Sequence, residues 1–167
     1  MKVLITGRPQ SGKTTLCKKV FHFLQSKITI GGMITEEIRE NNRRMGFKLI
    51  DLISGKTGIL AHVNIKGRKI GKYYVNIENL ENIGIKALER AENSDLIIID
   101  EIGPMELLSR KFNDKVIELF SQKRDILATI HYRIKHPIKN MKDVEIYFLN
   151  EKNREQITFK VIKKFGG

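Results

Sequence analysis

Runs of apolar residues broken by short polar turns recur along the chain, in two textures. KVLITG opens with a short apolar run that predicts a buried strand, and TTLCKKVFHFLQSK follows with Leu16, Val20, Phe23 and Leu24 at helical spacing on one face. From Ile28 to Ile77 the texture changes. TIGGMITEEIRE, RMGFKLIDLIS and TGILAHVNI are rich in β-formers and separated by the turn-like ENNRR and SGKTG, which predicts short antiparallel hairpins. Helical spacing returns in IKALERAENS, with Ala87, Leu88 and Ala91 facing inward. SDLIIID is a continuous apolar run closed by an acid, as expected of a central parallel strand covered on both faces. KFNDKVIELFSQK predicts an amphipathic helix resting on Phe112, Val116, Leu119 and Phe120. DILATIHY and DVEIYFLN predict two more strands, joined by IKHPIKNMK with a break at Pro137. The tail from Glu151 to Phe165 fits a helix or a strand equally well.

Alternating strands and helices imply an α/β fold, a mostly parallel central sheet between two helix layers, with the antiparallel meander of residues 28–77 inserted beside it. Ligands in such sheets bind at the carboxyl ends of the strands. That rule brings Gly7 to Thr15, Asp100 to Gly103 and Thr129 to His131 to one edge.

The first of these stretches is GRPQSGKTT: Gly7, Arg8, Pro9, Gln10, Ser11, Gly12, Lys13, Thr14 and Thr15. Gly, four residues, Gly, Lys, Ser/Thr between a strand and a helix is the P-loop pattern. Its glycines let the backbone wrap closely around a polyphosphate, and the following helix turns its free amides and the positive end of its dipole toward that anion. Lys13 is positioned for the β and γ phosphates, the Thr14 hydroxyl for a Mg²⁺ ion, and Thr15 for a further phosphate contact. A nucleoside triphosphate with Mg²⁺ is the ligand this implies. In LIIIDEIGPMEL, Asp100 is the second candidate metal ligand and Glu101 the candidate base for an attacking water, with Gly103 completing the nucleotide site. Thr129 either senses the γ phosphate or is an ordinary β-branched strand residue. Arg39, Arg43, Arg44 and Arg68 could steady transition-state charge or could be a solvated face, and Asn153 and Arg154 could approach the nucleotide.

Composition narrows this picture. A chain of 167 residues is expected to form one domain, residues 1–167. No apolar run has membrane-spanning length and no leader is evident, so a cytoplasmic protein is expected. Cys17 is the single cysteine and reads as a small core residue; the four histidines lack metal-ligand spacing, so no structural metal is expected. The net charge of +12 favours polyanionic partners, but the basic residues are spread along the chain and aromatics make up only 7%, so nucleic acid is a possible partner rather than a required one. A monomer is expected.

Three stretches together resemble the thermophile-type, or cancer-related, nucleoside-triphosphatase family: GRPQSGKTT, the middle stretch GGMITEEIRENNRRMGFKLIDL with its Thr-Glu-Glu-x-Arg and Arg-x-Gly-Phe elements, and IIIDEIGPMEL followed by Ser109. The resemblance spans nearly the whole chain. It implies a RecA-like P-loop core and slow Mg²⁺-dependent hydrolysis of several nucleoside triphosphates to diphosphate and phosphate, with Lys13 and Thr14 on phosphate and metal, Asp100 on metal and Glu101 on water. Two positions depart from the family pattern. Gln10 stands where glycine is frequent, and Pro104 follows Gly103 where lysine is common. Two competing readings remain: a kinase of a nucleoside, nucleotide or RNA end, and a nucleic-acid-binding switch driven by the nucleotide.

Overall fold

In a computed structural model describing residues 1–167, one mixed sheet of nine strands runs through the chain. The strands are β1 (Lys2–Gly7), β2 (Ile30–Glu40), β3 (Arg43–Asp51), β4 (Thr57–His62), β5 (Arg68–Ile70), β6 (Tyr73–Val75), β7 (Leu96–Ile102), β8 (Asp125–Ile130) and β9 (Val144–Leu149). Their spatial order is β5-β6-β4-β3-β2-β7-β8-β1-β9. Between β2 and β9 the neighbours are parallel, and from β2 to β5 they are antiparallel.

This corrects the expected mostly parallel sheet with a meander inserted beside it. Parallel and antiparallel ladders are equal in number, and the meander continues the same sheet. The cause is the length of β2. Its first residues, Ile30 to Met33, pair with β7, whereas Met33 to Glu40 pair with β3, so one strand belongs to both halves. Asn41 and Asn42, both at positive φ (51° and 64°), close the β2–β3 hairpin in a two-residue turn within the turn-like ENNRR.

Helices cover both faces. On one face α1 (Lys13–Leu24) and α5 (Arg154–Gly166) set Leu16, Cys17, Val20, Leu24, Val161 and Phe165 against Val3, Ile5 and Leu127. Phe23 was expected on that apolar stripe but is 58% exposed at its margin, and Cys17 is buried instead. On the other face lie α2 (Ile77–Asn79), a π-helical stretch (Leu80–Ile85), α3 (Lys86–Arg90) and α4 (Arg110–Phe120). There Phe112, Val116, Leu119 and Phe120 are all buried at the predicted spacing. The helical run begins eight residues before IKALERAENS, because the Asn76 side chain accepts from the Asn79 amide and caps it. The ambiguous tail is a helix. Asn150 accepts from the amides of Lys152 and Asn153, turning the chain out of β9 before α5 begins. No helix is long and apolar enough to cross a membrane.

The β2–β7 contact leaves no room at Gly32. Its φ is +115°, and a Cβ there would lie 1.9 Å from the Ile98 carbonyl oxygen. Gly32→Ala should therefore cost well over the ~1 kcal/mol of an unstrained backbone change. The expected reading is a lower urea midpoint, and an unchanged midpoint would show that β2 and β7 are not in this register.

Candidate nucleotide and acid-pair site

The site is assembled where β1, β7 and β8 end. β1 delivers Gly7, whose φ of +153° and packing against the Leu149 carbonyl leave no space for a side chain: a Cβ would meet that oxygen at 2.6 Å. The loop then turns through Gln10 (φ 65°) and Gly12 (φ 103°) into α1. Both lie in the left-handed region, which costs a residue with a Cβ about 1–2 kcal/mol. This gives a backbone reason for the glycine expected at position 10, which Gln10 replaces.

Lys13 is almost fully buried. Its Nζ donates to the carbonyl oxygens of Gly7 (3.0 Å) and Arg8 (3.3 Å), and lies 3.8 Å from Glu101 Oε2. The loop thus holds its own cation against an acid supplied by β7. Pro9, Gln10, Gly12, Lys13, Thr14, Thr15, Glu101 and Arg154 line one cleft of about 820 Å³. Gly7, Ser11, Asp100, Gly103 and Thr129 are buried beneath that surface, and Arg8 points outward. Among the other candidates, Arg39 and Arg44 line the cleft while Arg43 and Arg68 do not. Asn153 instead shapes the turn after β9, accepting from the Asn150 amide and donating to the Phe148 carbonyl.

Asp100 has no exposure at all. Its Oδ1 accepts from Thr129 Oγ1 at 2.7 Å, its backbone carbonyl accepts from Thr35 Oγ1 at 3.0 Å, and its Oδ2 has no partner. The peptide joining Asp100 to Glu101 is cis. A bare buried carboxylate oxygen costs free energy unless something meets it. Burial pushes Asp100 up to about 6, reinforced by the charge of Glu101 and opposed by the hydroxyls of Thr129 and Thr14. Glu101 is also raised, by burial, with Lys13 pulling the other way. An unpartnered oxygen on an acid beside a threonine hydroxyl is a donor set that suits a hard divalent cation such as Mg²⁺.

Sequence reasoning missed a third acid. Glu106 is 3% exposed, and its carboxyl is pushed up by burial and then by the charges of Glu101 and Asp100. A Cβ on Gly103 would meet Glu101 Oε1 at 2.9 Å and Glu106 Oε1 at 3.1 Å, so only a glycine lets the two carboxyls flank this point. In the sequence Glu106 reads as an ordinary polar residue beyond a turn. Nothing short of the fold back from Pro104 shows that it points inward. Cys17 lies fully buried nearby, and burial raises its thiol well above the ordinary range, as suits an inert core residue.

A family described as NTPase matches residues 2–162. The nucleoside-triphosphatase THEP1 of Thermotoga sp. (strain RQ2) is 50% identical over 97% of this chain and 94% of its own length. Among solved structures, the crystal structure of THEP1 from the hyperthermophile Aquifex aeolicus aligns over 100% of both chains with a TM-score of 0.90 at 35% identity. The solution structure of a human cancer-related nucleoside triphosphatase aligns over 98% of this chain and 96% of its own, with a TM-score of 0.82 at 31% identity.

Two outcomes are expected from this geometry. Gln10→Gly removes the left-handed strain but gives the unfolded chain more freedom, about 0.5–1 kcal/mol against 1–2, so thermal scans should show a melting temperature a few degrees higher at most; a lower one would reveal a stabilising contact of the Gln10 side chain. For Asp100, the folded value lies above the unfolded one, so its favourable contribution is complete below about pH 4 and is lost as pH rises through about 6. That difference corresponds to about 3 kcal/mol. Without metal or nucleotide, Asp100→Asn should therefore gain stability relative to the parent between pH 4 and pH 8 in denaturant titrations. A difference constant with pH would mean that Asp100 titrates normally.

Proposed function

This chain belongs to the NTPase family, and we propose that it hydrolyses nucleoside triphosphates to diphosphate and phosphate with Mg²⁺, accepting several bases including those of ATP and GTP. The observation that carries this reading is the buried Asp100 with its bare Oδ2, next to Glu101 and within one side chain of the P-loop lysine. The names of the relatives, nucleoside-triphosphatase THEP1, support it. A RecA-like, three-layer description and a single domain over residues 1–167 are supported by helices on both faces of one sheet, and by β8 standing between the P-loop strand and the acid-pair strand.

In this reading the loop from Gly7 to Thr15 binds the phosphates through its backbone amides, and Lys13 exchanges the carbonyls of Gly7 and Arg8 for phosphate oxygens. Asp100 and Thr14 would hold the Mg²⁺ ion, which supplies charge neutralisation of the phosphate chain. Thr129 fixes the Asp100 carboxyl by its 2.7 Å bond, leaving Oδ2 free. Glu101 accepts the proton of the attacking water at its carboxylate; the nearby Lys13 favours the charged form that this requires, against the effect of burial. No specific hydrogen bond to the base is required, hence the breadth of substrates. We read the molecule as a cytoplasmic monomer whose turnover does not require nucleic acid.

Phosphate release should be seen with ATP, GTP, CTP and UTP, should need Mg²⁺, and should persist without RNA. Glu101→Gln should keep nucleotide binding while turnover drops ~10²- to 10⁴-fold, whereas Lys13→Ala should weaken binding as well. Undiminished turnover in Glu101→Gln would remove that residue as the base.

A further inference from the structure

The P-loop and the acid pair occupy one end of the cleft; the other end is built by the middle stretch that carried the family resemblance in the sequence. Because β2 outruns its pairing with β7, the β2–β3 hairpin stands along the cleft wall and sets Glu37, Arg39, Arg44 and Phe47 on it. Part of its lining is apolar. Phe47 and Ile70 are half-buried, and Phe47 meets Tyr73 edge to face with ring centroids 5.2 Å apart.

Charge divides the cleft in two. At the acid-pair end, Glu101 lies 3.8 Å from Lys13 Nζ and has the carboxyls of Asp100 and Glu106 close enough to repel its charge. At the hairpin end the balance is reversed: Arg39 Nε lies 2.9 Å and Arg44 Nη1 3.3 Å from the one carboxylate of Glu37. Likewise Lys18 and Lys48 share Glu36, at 2.8 and 3.6 Å. Each carboxylate faces two cations, so this end carries surplus positive charge. Arg44 also donates to the Tyr73 hydroxyl at 2.9 Å and lies over the Phe47 ring, 5.5 Å from its centroid. A planar group beside cation and ring, with an anion drawn to the two guanidiniums, is the chemistry such a lining accepts.

The triphosphate leaves this end open, an argument that rests on the function proposed above. With its γ phosphate at the acid pair and its other phosphates on the P-loop amides, the triphosphate would run along the loop toward Thr15 and Arg154, which also border a second hollow of about 270 Å³ between α1 and α5. At about 820 Å³ the main cleft is near the upper end of the ~300–1,000 Å³ range of ligand pockets.

We propose that the hairpin end of the cleft is a binding site for a second ligand, a nucleoside monophosphate seated beside the γ-phosphate position, with its base on Phe47 and Ile70 and its phosphate drawn to Arg39 and Arg44. The site uses the family-specific residues that hydrolysis alone leaves without a task.

The test is equilibrium binding of AMP, GMP, CMP and UMP, by calorimetry, to protein saturated with Mg²⁺ and a non-hydrolysable ATP analogue, and separately to Lys13→Ala without the analogue. At least one monophosphate should bind in both settings. Its affinity should fall about tenfold or more in Arg39→Ala and in Arg44→Ala, the loss expected for a charge-assisted bond. Arg39 is half exposed, so its variant should fold, and its affinity for the analogue should stay within about twofold. Three results would each overturn the proposal: no monophosphate binding below ~1 mM in either setting, binding abolished by the analogue, or binding indifferent to both arginine variants. Phosphate release measured on the same preparation separates the two readings, since a protein that binds the monophosphate but hydrolyses nothing loses the proposed hydrolysis and keeps this site.

Discussion

A carboxyl group with no exposure, one oxygen tied to a threonine and the other bare, is the constraint around which this molecule is arranged. Burying such a group is unfavourable on its own, and the fold commits it at the end of β7, beneath the loop that carries Lys13. The strand that ends in Asp100 and Glu101 must be central to reach full burial, and β7 is central, flanked by β2 and β8 with helices on both faces. The same position makes the site responsive to cations. An acid raised to about 6 has more to gain from a positive partner than one already solvated.

The second organising feature is the length of β2. A strand that stopped after its pairing with β7 would leave a parallel sheet with an open edge; continuing into the hairpin extends the sheet by four strands and raises a wall beside the cleft. Thr35, on that same strand, donates to the Asp100 carbonyl, so the wall and the acid pair are joined by a direct hydrogen bond.

Several elements were legible in the sequence. The P-loop was, because its glycines, lysine and threonines sit at spacings that one backbone path demands. So were β7 and α4, whose apolar patterns are long and regular, and the Asn-Asn turn. The tail was ambiguous because ITFKVIKKF alternates as well as it spirals, and Phe23 misled because a stripe predicted from one helix cannot show where its partner α5 ends. Glu106 escaped because a single acid after a turn carries no periodic signal.

What the sequence determined by itself was chemistry and local conformation: which loop cradles phosphate, which acids close a buried strand, which residues turn. Only the tertiary structure decided that the meander extends the central sheet, that Arg39 and Arg44 face the cleft while Arg43 and Arg68 do not, and that Glu106 joins the acid pair. The reason is physical. Local patterns depend on neighbours along the chain, whereas strand partnership and side-chain convergence depend on which distant segments exclude water from one another, and that is settled when the sheet closes around β2 and β7.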